Sequence, residues 1–277
     1  MNVDEIKVCV LRIEGTNCEE EAYSAFKMLG ASPEKVHLKQ LTGDCAPSMR
    51  RDLDDYHMLM FPGGFSAGDY VRAGANFAAR IRSSLGHEVE NFVSSGRPVL
   101  GVCNGFQILV ELGLLPSFDE IMSEEPQAAL YTNDSGRFEC RPTYLKHENH
   151  GKCVFTSLLP RGETVMFPCA HAEGNLRFPA EREREILQRL EENDQIVFRY
   201  VDADGAYAGY PWSPSGTLAN IAGICNPEGN VLGLMPHPER VMFRYQHPDW
   251  TREQDPNAPG DGRVIFASAL EYVSKRF

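Results

Sequence analysis

Cys103 stands in the stretch RPVLGVCNGFQILVELG, with one glycine two positions before it and another two positions after. The apolar run PVLGV reads as a buried strand and GFQILVELG as a helix, which places the sulfur at a sharp strand-to-helix turn. Small flanking residues, Gly101 and Gly105, let a strained nucleophile project from the end of a strand. The first turn of a helix also favours a thiolate over a thiol. A nucleophilic sulfur needs a base, and the base needs an orienting partner. The segment VLGLMPHPERVMF offers both, since an apolar strand runs into His237 and Glu239, framed by Pro236 and Pro238 with their fixed φ. In an extended segment those two side chains point the same way, so one ring nitrogen can take the thiol proton while the carboxylate holds the other. The remaining requirement is a pair of N–H donors for a developing oxyanion. Gly63 and Gly64, in LMFPGGFSAGDYVRAG, and the N–H of Asn104 are the candidates. His171, in CAHAEGN, is a rival base with Glu173 two residues on, but it lacks the proline frame.

The other cysteines, at 9, 18, 45, 140, 153, 169 and 225, form no C-x-x-C pair and have no histidine at zinc-finger spacing. They are expected to be reduced, with structural zinc disfavoured and no metal bound. The loop after the first strand has no G-x-G-x-x-G, no G-x-x-x-x-G-K-[ST] occurs anywhere, and Glu19, Glu20 and Glu21 would repel a phosphate at the first helix. ATP therefore has no cradle in this chain. With 27 basic against 39 acidic side chains, the formal charge of −12 disfavours nucleic acid and anionic membrane surfaces as partners. The start, MNVDEIKVCVLRI, is acidic where a signal peptide is basic, and no apolar run approaches the ~18 residues of a membrane span, so a cytoplasmic location is expected.

The elements that must position these groups alternate over the first 115 residues: IKVCVLRI, CEEEAYSAFKMLG, KVHLKQL, YHMLMF, FAARIRSSLGHEVENFVSSG, PVLGVC and GFQILVELG. Strand–helix alternation of this kind predicts an α/β fold, a mostly parallel sheet flanked by helices. Asn17 is the expected cap of the first helix and Gly30 follows its last turn. From about residue 137 the runs RFECRPTYL, TVMFPCAH and QIVFRYVD predict strands, AEREREILQRLEEN a charged helix, and VIFASALEYVSKRF a closing helix. HPDWTREQDPNAPGDG, 247–262, reads as one surface loop, and with no repeat or long linker a single domain over 1–277 is expected.

GVCNGFQIL and MPHPER, taken with PGGFSAGDYVRAGA and NDSGRFECR in that fold order, resemble class I, or triad, glutamine amidotransferases, and among them the family of glutaminase subunits of phosphoribosylformylglycinamidine synthase. The likeness runs over nearly the whole chain, with Ala172 and Asn175 of CAHAEGN as departures where the family reads closer to His-Gly-Glu-Gly-Arg. It implies a flavodoxin-like single-domain amidotransferase fold with a nucleophile elbow. It implies Cys103 as nucleophile, His237 as general base and acid and Glu239 as its orienter, with Gln107 bonding the glutamine and Arg137 and Phe138 lining the pocket. The implied reaction takes L-glutamine to glutamate and ammonia through a thioester. The ammonia passes to a separate synthase subunit, which binds ATP and Mg and converts formylglycinamide ribonucleotide, often with a small bridging subunit. A competing reading is a stand-alone elbow-cysteine hydrolase or protease in which Glu14, near the end of the first strand, contacts the cysteine. A non-catalytic interaction subunit is a third, and it would require a broken triad.

Overall fold

The computed structural model describes residues 1–252 and 255–277. The first half alternates as β1 (Lys7–Arg12), α1 (Glu19–Met28), β2 (Ser32–His37), α2 (Leu38–Thr42), β3 (Met58–Phe61), α3 (Ala75–Ser94), β4 (Val99–Val102) and α4 (Asn104–Glu111). The second half runs β5 (Ala129–Tyr131), β6 (Glu139–His147), β7 (Thr164–His171), β8 (Asn175–Arg177), α5 (Glu183–Glu192), β9 (Ile196–Val201), β10 (Ile221–Cys225), β11 (Val231–Leu234) and α6 (Arg263–Arg276). One sheet takes the order β2-β1-β3-β4-β11-β10-β9-β6-β7, and β5 pairs with β8 beside it.

The block from β2 to β11 is parallel, and from β11 outward through β10, β9, β6 and β7 the pairing is antiparallel. Sequence composition explains the layout. MLMF, VLGV and VLGL are buried along their whole length, as strands covered on both faces must be. SPEKVH is polar and carries Pro33, which suits β2 at the edge, where a missing N–H is tolerated. Along α3 the buried residues are Phe77, Ala78, Ile81, Leu85, Val89, Phe92 and Val93, a stripe at helical spacing that lies on the sheet. Each large side chain fully removed from water there contributes roughly 1.5–3 kcal/mol. Among the described residues no helix is long and apolar enough to cross a membrane.

Several local expectations are corrected. KVHLKQL is not one strand, because β2 ends at His37, whose ring accepts from the Lys39 N–H while Gln40 Oε1 accepts from the His37 N–H, and this capping box starts α2. Asn17 does not cap α1. The N-cap is Cys18, without a side-chain cap bond, because the N–H groups of Asn17 and Cys18 both turn to the carbonyl of Gly63. The strands β5, β8 and β10 escape the periodicity reading, the first two being three residues long and β10, IAGIC, being an unbroken apolar run. In the 247–262 stretch, Trp250–Arg252 form a single 3₁₀ turn and Phe243 bridges Pro259, while residues 253 and 254 lie outside the described residues.

Candidate active site

Cys103 follows β4 directly and serves as the N-cap of α4, with φ 52° and ψ −107°. A non-glycine residue in that region holds roughly 1–3 kcal/mol of backbone strain, which the surroundings must sustain. They do so through close packing. A Cβ on Gly101 would lie 2.6 Å from the Gly105 carbonyl oxygen and 2.6 Å from Leu109 Cδ1, and one on Gly105 would run into the Phe61 carbonyl. The helix is thus seated directly on β3 and β4, and its first turn is held against the strand ends.

β11 lies beside β4 in parallel register, Leu234 opposite Val102, and the Cys103 N–H donates to the Leu234 carbonyl at 2.8 Å. Two neighbouring parallel strands therefore end at the same edge, the place where such sheets gather ligand-binding groups. Beyond β11 the His237 N–H donates to Pro168 O of β7 at 2.8 Å. The chain then turns into a 3₁₀ helix, Pro238–Arg240, and does not stay extended as its spacing suggests. The tight turn nonetheless brings Glu239 Oε1 to 2.6 Å from His237 Nδ1. A carboxylate on Nδ1 leaves Nε2 as the nitrogen available to sulfur. Cys103, His237 and Glu239 are all buried, and the Cys103 thiol donates to the Ala170 carbonyl at 3.4 Å. Burial is the largest single influence on His237 and opposes its imidazolium, but Glu239 and the Cys103 sulfur within its reach together outweigh it and hold the pKa well above the ordinary histidine value.

The glycine loop meets this edge from the other side. Thr16 and Gly64 form an isolated antiparallel bridge made by the Phe65 N–H on Gly15 O and the Asn17 N–H on Gly63 O, so the bridge leaves the Gly64 N–H out. The Asn104 N–H belongs to the first turn of α4, where backbone donors have no intrahelical partner. Ser66 fixes the loop by donating its N–H and hydroxyl to Asn104 Oδ1, at 3.2 and 2.7 Å. The arrangement gathers an elbow cysteine, an imidazole bonded to a carboxylate and two candidate N–H donors at one sheet edge, the kinds of group that acyl transfer from an amide requires.

A model of the CobB/CobQ-like glutamine amidotransferase domain matches residues 5–273. The phosphoribosylformylglycinamidine synthase subunit PurQ of Archaeoglobus fulgidus is 55% identical, over 99% of this chain and 100% of the relative. The chain belongs to the PurQ family of glutamine amidotransferases. The PurQ subunit of Picrophilus torridus is 47% identical over 95% of this chain and 97% of its own. Among solved structures, PurLQS from Thermotoga maritima matches with a TM-score of 0.71 at 32% identity, covering 97% of this chain and 99% of that one. A glutamine amidotransferase from the same organism, 15% identical with a TM-score of 0.53, shares the fold.

The remaining candidates of this PurQ-family chain fall into different places. Gln107, one turn past the nucleophile, has its amide engaged, donating to Glu173 O at 2.6 Å and accepting from Asn104 Nδ2 at 2.9 Å. Asn133 ties the GRF segment to the His171 strand end by donating to both Arg137 O and His171 O. Arg137 lines a groove of about 730 Å³ with Tyr210, Ser213 and Thr217, whereas Phe138 projects outward. His171 is buried with Nδ1 3.1 Å from Asn133 Oδ1, and burial, followed by the nearby His237, pushes its pKa down to about 3. Its intended partner Glu173 instead accepts from the Ala73 N–H at 3.1 Å, so the carboxylate two residues on does not orient His171. Glu14, the acid of the competing reading, pairs with Arg80 at 2.6 Å at the surface.

Two residues of the site are not singled out by sequence reasoning. Cys18 lies against His237, and Arg240 donates to its sulfur at 3.0 Å. Arg240 has a signal in standing next to Glu239, while Cys18 has none, since its neighbours in the site are far away in the chain.

Proposed function

We propose that Cys103, His237 and Glu239 carry out the glutaminase reaction of this family member, with Gly64 and Asn104 donating to the oxyanion. The observation that supports this most is the hydrogen bond of 2.6 Å between His237 Nδ1 and Glu239 Oε1 beside an elbow cysteine. In the first half-reaction the Cys103 proton passes to His237 Nε2, whose raised pKa favours the thiolate–imidazolium pair, and the sulfur attacks the carboxamide carbon of L-glutamine. The oxygen becomes an oxyanion held by the two N–H groups, and His237 returns the proton to the departing nitrogen, which leaves as ammonia. In the second, His237 draws a proton from water, hydroxide attacks the thioester carbon, and glutamate and the free thiol are released.

The chain serves as the ammonia-producing subunit of phosphoribosylformylglycinamidine synthase, the enzyme of which its relatives are named the PurQ subunit. Ammonia in neutral water is mostly ammonium and is not a nucleophile, so it is best delivered directly to a synthase subunit, which holds ATP and Mg²⁺ and acts on formylglycinamide ribonucleotide. A small bridging subunit completes the assembly. Phe65, Tyr70 and Val71 of the glycine loop, 55%, 89% and 75% exposed, favour this loop as the docking face. The buried triad and the engaged amide of Gln107 favour a resting pocket that opens on assembly. In the reconstituted complex, Cys103→Ala is expected to lower glutamine-dependent synthesis by about 10³-fold or more while ammonium-dependent synthesis continues. Retention of glutamine-dependent turnover by that variant would overturn the assignment.

A further inference from the structure

Cys18 has no part in the chemistry above, yet its sulfur, a ring nitrogen of His237 and a carboxylate oxygen of Glu239 lie within 4.8 Å of one another. Cys18, Cys103, His237 and Glu239 are 2%, 5%, 1% and 3% exposed. Two of the polar atoms in this buried cluster, His237 Nε2 and Glu239 Oε2, have no hydrogen-bond partner of normal geometry among the described residues. The groups converge on Gly63, where a Cβ would stand 2.7 Å from His237 Cε1, 3.2 Å from Cys18 Sγ and 3.5 Å from Cys103 Cβ.

We propose that this cluster reversibly takes up a thiophilic divalent cation, of which zinc is the type, through the sulfurs of Cys18 and Cys103 and Nε2 of His237. Glu239 keeps its bond to Nδ1 and becomes the carboxylate behind the ligating imidazole, a pairing that orients metal-bound histidines generally. Two sulfurs and an imidazole select zinc over magnesium or calcium, which prefer oxygen. Ligands at about 2.0–2.3 Å from a tetrahedral metal stand about 3.5 Å apart, so Cys18 Sγ and the His237 ring nitrogen, now within 4.8 Å, draw together by up to about 1 Å on binding. The Cys18 thiol and the Cys103–His237 pair release their protons to solvent as the metal bonds to both sulfurs and to Nε2 form, and a solvent water fills the fourth position. Arg240, 3.0 Å from Cys18 Sγ, must move aside, and Glu21, 4.0 Å from Arg240 Nε, is positioned to receive it. Bound metal blocks the nucleophile and the base together, so the site acts as a brake on the reaction rather than a cofactor centre.

Cobalt(II), a spectroscopic stand-in for zinc, tests this without glutamine turnover, so the proposal can fail while the glutaminase reading stands. The full chain is expected to bind one equivalent with an intense thiolate-to-cobalt charge-transfer band, which zinc abolishes and magnesium leaves unchanged. Cys18→Ser should cut that band by about half and weaken zinc binding at least about tenfold, and Cys45→Ser should change neither. As a check that does not depend on a variant, zinc should protect Cys18 and Cys103 of the native chain from alkylation while Cys45 reacts. A band unaltered in Cys18→Ser, absence of the band, or protection that leaves out Cys18 would each overturn the proposal.

Discussion

Burial and charge pull His237 in opposite directions, and the charges prevail because Glu239 is held at 2.6 Å in direct contact and the Cys103 sulfur adds to its effect. Glu239→Gln keeps the size of the side chain but removes the charge that stabilises the imidazolium formed during turnover. We expect kcat/KM for glutamine to fall about 10²–10⁴-fold in the assembled enzyme, with ammonium-dependent synthesis intact. An unchanged kcat/KM would show that the carboxylate is not the orienter. His171 illustrates the opposite balance, with burial dominant and the pKa at about 3. The unfolded chain titrates near 6.5, so between these values the folded state binds fewer protons. Its contribution to stability is therefore complete above about pH 6.5 and is lost progressively as pH falls toward 3. His171→Asn should shrink the stability difference between about pH 7 and about pH 4 in urea melts, whereas an unchanged difference would mean that His171 is not buried in neutral form. Cys103, His237 and Glu239 are legible in the sequence because each sits in a short motif whose chemistry requires those residue types. Cys18 is not, since a contact that joins it to residue 240 leaves no trace in local spacing.

At the level of elements, the elbow depends on how deeply α4 sinks onto the sheet. Gly101 pairs with Phe61 on one side and Gly233 on the other, and the place of a Cβ at Gly233 is filled by the Phe106 ring of α4. Backbone, not a flexible side chain, blocks a Cβ at Gly105. Gly105→Ala is expected to destabilise the fold by about 1–3 kcal/mol or more and to displace the first turn of α4, with urea midpoint and glutamine turnover falling together. Wild-type stability in that variant would contradict the packing described. The buried parallel strands and α3 are legible from apolar runs and helical spacing. The short β5 and β8, and the change from strand to helix at His37, are not, because they are set by pairing with distant strands and by a single capping box.

At the scale of the whole molecule, the topology places two strand ends, β4 and β11, side by side although 132 positions separate Cys103 from Met235, the residues that follow them. Alternation in the first 115 residues foretells the parallel half of the sheet, but the order in which later strands join it depends on tertiary pairing that periodicity does not encode. The glycine loop then closes the site while presenting Tyr70 and Val71 to solvent, so the same segment borders the chemistry and the face favoured for the synthase subunit. Which sulfur bonds to substrate decides the chemistry, since two buried cysteines, Cys103 and Cys18, lie beside His237. Acid quenching of the assembled complex during glutamine turnover, or trapping with a glutamine-like chloroketone, followed by peptide mass mapping, answers that question. We predict a glutamyl or ketone adduct on Cys103, with Cys18 unmodified. An adduct on Cys18, or turnover with neither sulfur modified, would contradict the account.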